Sequence, residues 1–317
     1  MPKLDVWPLL TDGQRQAVLK SRELYAQFQT TETDPIAKMR AAYNFERRYW
    51  NSFPVELHSV ENLRLATPDG ELSLRLYRPS DKENLPVLIY AHGGGMILGD
   101  LDTHDRVQRL LAKNSGWAVL AIDYSLAPEV KFPTQLHQIL HVVNHVAQRG
   151  GDWGLDRTRI ALGGDSAGAH FMLGTALAAR DAKGPELSAL LLFYGAYGLK
   201  DSRAKRLYGW ADLDGLTDAE VAFYRACYLR DPQDSKDPRY DLLQQKMTGL
   251  PPCFVLGVEF DPLYDDSVAL VEMLQIAGVA HHFASYAGVL HSFLHYSAVE
   301  PKAHQALEES AAFLNRG

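Results

Sequence analysis

The residues Gly164-Asp165-Ser166-Ala167-Gly168 set a serine between two glycines. A short apolar run, Ile160 to Leu162, precedes them, and a mostly small and apolar segment, Ala169 to Ala179, follows with no proline and one glycine. Strand, sharp turn and helix are predicted, with the serine at the apex of the turn, as in a nucleophile elbow. The chemistry would be acyl transfer through a serine nucleophile. Strand and helix approach the turn closely, so a side chain at Gly164 or Gly168 would collide with its neighbours. The turn also sets the Ser166 hydroxyl at a helix N-terminus, where backbone N–H groups favour negative charge. Five residues alone also fit an ordinary strand-to-helix turn. The chemistry therefore depends on whether the chain supplies a base, an orienting acid and donors for an oxyanion.

The acid and the base should follow the serine in that order. Asp261 comes directly after the apolar run Phe254 to Phe260, where the end of a strand meets the active face. Asp265 and Asp266 compete with it, but they fall within a helix predicted over 262–277, and a solvated helix N-terminus accounts for them. For the base, His291 lies in a loop, Gly288-Val289-Leu290, expected just beyond the last strand. His295, one turn further, is the alternative. His281 and His282 open that strand and so sit at its wrong end. His291 would take the Ser166 proton and return one to the leaving alcohol, while Asp261 would hold the tautomer.

Oxyanion donors have a source in His92-Gly93-Gly94-Gly95, which follows the apolar run Pro86 to Ala91. Glycines let a loop turn its N–H groups toward a ligand. One such donor is worth about 10²–10³ in rate. The partner donor is the N–H after the nucleophile, on Ala167.

The elements that must position these groups alternate along the chain. An N-terminal helical arm, residues 1–55, holds two predicted helices (12–28 and 35–53) and suits either packing or a lid. A hairpin covers 63–77. Strands are predicted over 86–91, 117–122, 159–162, 190–194, 253–258 and 282–286, with helices over 106–113, 133–148, 262–277 and 301–314 between or after them. This rhythm predicts a mostly parallel sheet covered on both faces, within one α/β domain spanning 1–317. Residues 198–250 break the rhythm with mixed aromatic, charged and turn residues. They are predicted to form an inserted helical cap. Thr217 to Tyr228 is its clearest helix, with Thr217 as N-cap and Glu220 three residues on.

Composition narrows the function classes. The chain has 317 residues, 46% hydrophobic and 22% charged, with net charge −7. An acidic chain with no basic, aromatic-interleaved stretch does not suit nucleic acid, nor an anionic membrane surface. Its longest nearly apolar run, Leu187 to Leu199, is too short to span a bilayer. Cys227 and Cys253 are the only cysteines and form no disulfide framework. With no secretory signal visible in residues 1–10, a cytoplasmic protein with reduced thiols is expected. His137, His141 and His145 recur every four residues, and Asp100, Asp102, His104 and Asp105 cluster after the glycine loop. A polar helix face explains the first group and turn hydrogen bonds the second, so no metal is expected. No nucleotide-binding glycine motif is present, and no cofactor is implied.

Taken together these stretches resemble the hormone-sensitive-lipase-like α/β-hydrolases, and within them the bacterial acetyl esterases. The resemblance rests on 92–95 with 99–105, Asp123-Tyr124-Ser125-Leu126-Ala127-Pro128-Glu129 with Phe132-Pro133, and 164–168. It extends to 194–198, Glu259-Phe260-Asp261-Pro262-Leu263 and 291–296, covering the chain from about residue 40 onward. It implies an α/β-hydrolase fold, a triad of Ser166, Asp261 and His291, and hole donors from Gly93, Gly94 or Gly95 with Ala167, His92 supporting the loop. It also implies cofactor-free hydrolysis of small short-acyl esters, acetyl to about butyryl. Met96 departs from the pattern, because the family often has an aromatic there; the acyl pocket is less defined by a flexible side chain. At His170, too, the family's packing is not assumed. Two other functions use the same features: an amidase or a deacetylase of an acylated sugar or other metabolite, and a non-catalytic binder on a hydrolase fold. The presence of serine, acid and histidine at the motif positions weighs against the binder. The charges in 198–250 weigh against long acyl chains. Monomer and homodimer are both open.

Overall fold

The computed structural model describes residues 3–316. Its centre is an eight-stranded sheet: β1 (Ser59–Thr67), β2 (Gly70–Arg78), β3 (Leu85–Ala91), β4 (Ala118–Asp123), β5 (Leu155–Asp165), β6 (Ala189–Phe193), β7 (Cys253–Phe260) and β8 (His281–Leu290). The spatial order is β1-β2-β4-β3-β5-β6-β7-β8. The β1–β2 and β2–β4 pairs are antiparallel. Every pair from β4 to β8 is parallel. A parallel sheet needs crossovers, and helices supply them.

The continuous apolar runs explain the layering. Val87, Leu88, Ile89, Tyr90 and Ala91 of β3 are all wholly buried. Alternate side chains point to opposite faces. Val87, Ile89 and Ala91 pack with Leu136, Ile139 and Val142 of α4 (Thr134–Arg149), with α5 (Ala167–Asp181), and with Leu270 and Leu274 of α8 (Tyr264–Ile276). Leu88 and Tyr90 pack on the other face with Leu110 and Leu111 of α3 (Asp105–Ser115) and Ala306 and Leu307 of α9 (Pro301–Phe313). Each aliphatic side chain fully buried this way contributes roughly 1.5–3 kcal/mol.

The N-terminal helices are α1 (Asp12–Gln27) and α2 (Pro35–Asn51), with Thr11 and Asp34 as N-caps. Residues 198–250 hold α6 (Arg203–Leu207), α7 (Asp218–Tyr228) and short 3₁₀ turns. The predicted capping box is formed at the start of α7: the Glu220 N–H donates to the Thr217 hydroxyl, and the Thr217 N–H donates to the Glu220 carboxylate. Among the described residues no helix is long and apolar enough to cross a membrane.

Register decides where the chemistry sits. Ala91 pairs with Gly164, so the glycine loop leaves the sheet beside the elbow. Phe260 pairs with Leu290, so Asp261 and His291 are each the next residue after a paired position. The C-terminal ends of β3, β5, β7 and β8 therefore share one edge. One expectation is corrected here. β8 does not stop at Tyr286 but continues to Leu290. Its pairing with β7 jumps from Val258↔Tyr286 to Phe260↔Leu290 across Gly288, whose φ is +73°. The supposed loop is a bulge inside the strand, and it sets the direction in which His291 leaves the sheet.

Candidate active site

Ser166 joins β5 to α5 with φ +53° and ψ −117°, a conformation that side chains rarely adopt. Its N–H donates to the Phe193 carbonyl at 2.8 Å, which fixes the turn against β6. The tightness of the turn is measurable at its glycines. A Cβ on Gly168 would lie 2.0 Å from the Ala91 oxygen, and one on Gly164 would lie 2.6 Å from the same atom. The Ser166 hydroxyl is 2.9 Å from His291 Nε2, and His291 Nδ1 is 2.6 Å from Asp261 Oδ2.

The proton positions follow from chemistry. A carboxylate only accepts, so Nδ1 carries the ring proton and Nε2 accepts from the serine. Asp261 is wholly buried, and its other oxygen accepts the Leu263 N–H at 2.8 Å. Burial pushes the His291 imidazole down, but the charge and hydrogen bond of Asp261, with longer-range help from Asp214 and Asp165, hold it above its ordinary value. The Tyr194 ring stands edge-on to the imidazole at 4.9 Å. The sequence thus brings Ser166, His291 and Asp261 into one hydrogen-bonded chain.

The glycine loop is bound to the elbow by Asp165. This buried carboxylate accepts the Tyr90 hydroxyl at 2.8 Å and the Gly93 N–H at 3.0 Å, and His104 Nε2 lies 3.3 Å from its second oxygen. Burial would raise it, but His104, Tyr90 and His92 together hold it below the usual carboxylate range. The Gly93 N–H is thereby engaged by Asp165. Gly94 and Gly95, with φ of +119° and +59°, make no N–H hydrogen bond among the described residues. Ala167 opens α5, so its N–H has no helical carbonyl to meet. His92 supports the loop from behind: its ring stacks on Tyr124 at 4.3 Å and its Nδ1 lies 2.8 Å from the Gly93 oxygen. Burial lowers it to about 4, so it stays neutral.

Comparison with known proteins bears on this arrangement. Residues 88–295 match a family described by the α/β-hydrolase fold. An acetyl esterase of Salmonella choleraesuis (strain SC-B67) is 41% identical over 281 residues, covering 88% of this chain and 86% of the relative. The chain belongs to the α/β-hydrolase family, in its hormone-sensitive-lipase-like branch. Among solved α/β-hydrolase structures, the hyperthermophilic esterase of the archaeon Pyrobaculum calidifontis superposes with a TM-score of 0.89 at 31% identity, covering 96% of this chain and 98% of that one. A thermostable esterase of Pseudomonas putida ECU1011 superposes with 0.87 at 26% identity, covering 97% of each chain.

Within this hydrolase site the competing residues separate clearly. His295, the alternative base, packs edge-on to His104 at 4.4 Å and is held far below the ordinary histidine range, chiefly by burial and then by Arg47. His281 bonds to the Val279 carbonyl at the far end of β8, and His282 to Glu309. Asp266 overturns the expectation of a solvated helix end. It is wholly buried and accepts three backbone N–H groups, from Tyr197, Gly198 and Leu199, at 2.8, 3.0 and 3.1 Å. Asp265 holds the Ala204 N–H at 2.8 Å.

Asp100 bonds to the Asp102 and Thr103 N–H groups and accepts from Asn44, while Asp102 and Asp105 pair with Arg75 and Arg109. Turn hydrogen bonds and ion pairs therefore account for that acidic cluster. His145 packs on Trp153. Among the described residues, His104, Asp165 and His295 are the group whose ligand atoms lie close enough for a metal, within 4.8 Å. Two of the three already serve the loop: Asp165 holds Tyr90 and Gly93, and His104 holds Asp165.

Two groups escaped sequence reasoning. Asp165 occupies a variable place in the elbow pattern, and only its position after a buried strand hinted that its side chain points inward. Asp214, in the 198–250 insert, accepts the Trp210 and Leu216 N–H groups through one oxygen while the other is buried without a partner. Burial pushes its carboxyl up to about 7 despite those bonds and the nearby His291.

Proposed function

We propose that the protein is a serine carboxylesterase that hydrolyses short-acyl esters, acetyl to about butyryl, through an acyl-enzyme. The observation that carries this reading is the continuous chain from Ser166 through His291 to Asp261, with distances of 2.9 and 2.6 Å. As Ser166 Oγ attacks the ester carbonyl, its proton passes to His291 Nε2. Asp261 stabilises the imidazolium that forms. The carbonyl oxygen becomes an oxyanion and is met by the N–H groups of Gly94, Gly95 and Ala167. Collapse breaks the ester C–O bond, and the alcohol leaves with the proton from Nε2. Water then gives a proton to His291 as it attacks the acyl-serine, and as the Oγ–acyl bond breaks His291 returns that proton to Ser166 and the acid is released.

The acyl limit rests on two kinds of support. Relatives bearing the name acetyl esterase cover most of the chain. The walls near the site also come from residues 198–250 and the N-terminal arm, which we assign as a cap within one domain. The Tyr224 ring of α7 stands so close to the loop that a Cβ on Gly95 would lie 2.7 Å from it. Arg40 of α2 donates to the Ile97 carbonyl at 2.8 Å and to the Ala127 carbonyl at 2.9 Å.

The test is turnover of p-nitrophenyl esters of graded chain length by wild type and Ser166→Ala. We expect a maximum at two to four carbons and a loss of about 10⁴-fold or more in the variant. Comparable rates for the two proteins would refute the mechanism. A maximum at eight or more carbons would refute the acyl range.

A further inference from the structure

The residues directly after β5, β7 and β8 are Ser166, Asp261 and His291. β6 lies between β5 and β7 in the sheet, and the residue directly after it is Tyr194. No step of the proposed reaction uses this tyrosine. Its backbone is nevertheless held from both sides. The Phe193 carbonyl, one residue before it, accepts the Ser166 N–H, and the Tyr194 N–H donates to the Leu256 carbonyl of β7, both at 2.8 Å. Tyr194 has a φ of +40°, in the left-handed region that a bulky side chain seldom adopts. Among the described residues six that are not glycine have positive φ, and four of them, Met96, Ser166, Tyr194 and Ser292, lie in segments leaving the active edge of the sheet. Strain of this kind persists only where the surroundings over-determine it, and at a functional edge it marks a side chain whose direction matters.

That direction carries the ring to His291. The two ring centroids are 4.9 Å apart, with the planes at 66°. Phe293, two residues beyond His291, packs on the same tyrosine at 6.2 Å. Tyr194 is buried and its hydroxyl has no hydrogen-bond partner, so the contact is made by the ring and not by the hydroxyl. His291 needs such a contact. The bond to Asp261 fixes Nδ1 but leaves the imidazole free to swing about that point. The β7–β8 ladder ends at Leu290, and Ser292 has a φ of +65°, so the sheet does not hold the residue that carries the ring. A swing that lengthens the 2.9 Å between Nε2 and the Ser166 hydroxyl separates the base from its proton.

We propose that Tyr194 is a positioning residue for the hydrolysis: its ring sets the plane of the His291 imidazole, so that Nε2 stays directed at Ser166 while Nδ1 stays on Asp261. The proposal rests on the serine esterase reading above. It gives β6, the strand between nucleophile and acid, a part in the site through the residue that follows it.

The test compares two variants with p-nitrophenyl acetate as substrate. Tyr194→Phe keeps the ring and removes only the unpaired hydroxyl, and its kcat should stay within about twofold of wild type. Tyr194→Leu removes the ring, and its kcat should fall about tenfold or more with KM unchanged. His291 moves a proton in both halves of the reaction and does not hold the substrate, so the loss appears in kcat whichever half is slower. A role in packing alone predicts instead a lower melting temperature with kcat of the folded protein unchanged. A second readout needs no turnover. The Nδ1 proton, in a short bond to the buried Asp261 carboxylate, gives a proton resonance far downfield of the amides. It should persist in Tyr194→Phe and broaden or vanish in Tyr194→Leu. A folded Tyr194→Leu with kcat within about twofold of wild type, or with an undiminished downfield resonance, overturns the proposal. So does a Tyr194→Phe that loses as much as Tyr194→Leu, or a loss in Tyr194→Leu that lies wholly in KM. If Tyr194→Leu does not fold, Tyr194→Met, which fills the space with a flexible chain, is judged by the same criteria. Failure of the esterase reading looks different: wild type then hydrolyses no ester, or Ser166→Ala matches it, and the downfield resonance alone decides whether Tyr194 holds the imidazole.

Discussion

Asp266→Ala tests the least expected feature of the architecture, a buried carboxylate that organises a loop. Its Oδ1 gathers the N–H groups of Tyr197, Gly198 and Leu199, and its Oδ2 lies 2.8 Å from Lys205 Nζ. Alanine strands three backbone donors and takes the carboxylate from Lys205, whose Nζ keeps the Leu199 carbonyl. A stranded buried donor costs about 1–3 kcal/mol, and breaking a buried ion pair from one side about 3–5 kcal/mol. These costs overlap, and Lys205 keeps some contact with solvent, so about 4 kcal/mol is expected. Unfolding entropy near 2.1 cal/mol/K per residue gives about 0.7 kcal/mol/K for 317 residues. The melting temperature should therefore fall by about 6 °C. Asp265→Ala is the control, because that half-buried neighbour holds a single N–H, from Ala204. Its loss should cost about 1 kcal/mol, or 1–2 °C. Wild type and both variants would be compared by calorimetry at one scan rate. If Asp266→Ala melts within about 2 °C of Asp265→Ala, the buried carboxylate is not the organiser of the 197–199 loop.

The catalytic chain makes further predictions. His291 must be neutral to accept the serine proton and its pKa is raised, so kcat/KM should rise with pH through a midpoint above about 6.5. Asp261→Asn removes both the charge that raises His291 and the preference for the Nδ1–H tautomer. A kcat loss on the order of 10⁴-fold is expected in steady-state assays. Ionised Asp214 favours the imidazolium, so Asp214→Asn should move the acidic limb of the pH profile to lower pH while leaving the triad in place. Gly168→Ala forces β3 and α5 apart and should abolish activity. Gly151→Ala meets no atom within 4 Å and should change neither activity nor melting.

The strands were legible because buried parallel strands are written as continuous apolar runs. Pro86 to Ala91 and Cys253 to Val258 read directly from the sequence. The hydrogen-bonded chain of Ser166, His291 and Asp261 was legible because each member follows such a run, in a fixed chain order. What escaped depends on directions and distances that a local window does not contain. Gly288 looked like a turn residue, yet its positive φ makes a bulge that keeps β8 paired to Leu290. Gly93 resembled its two neighbours, but the direction of its N–H is set by Asp165, 72 residues away. Asp265 and Asp266 looked equivalent at a helix start. A loop 67 to 69 residues distant in sequence makes one buried and leaves the other near the surface. The β5 strand ran longer than its apolar stretch, from Leu155, because its first residues include exposed polar side chains.

Asp165 explains why the proposed nucleophile and oxyanion loop need not be positioned independently. It is the residue before Ser166, so any movement of its carboxylate is also a movement of the elbow. Through Gly93 it holds the start of the glycine loop, and through Tyr90 it holds β3, the strand from which the loop emerges. The register Ala91↔Gly164 already sets these two strand ends side by side. The side chain adds hydrogen bonds where the backbone ladder has ended. An oxyanion hole works only if its donors already stand where the charge will develop, since reorientation during the reaction would cost what the donors contribute. The donors proposed here, Gly94 and Gly95, directly follow an anchored Gly93, and Ala167 directly follows the proposed nucleophile. In the mechanism we propose, both halves of the hole are thus tied to a single buried carboxylate, which joins a strand tyrosine and a loop glycine to an elbow about seventy residues away in the sequence.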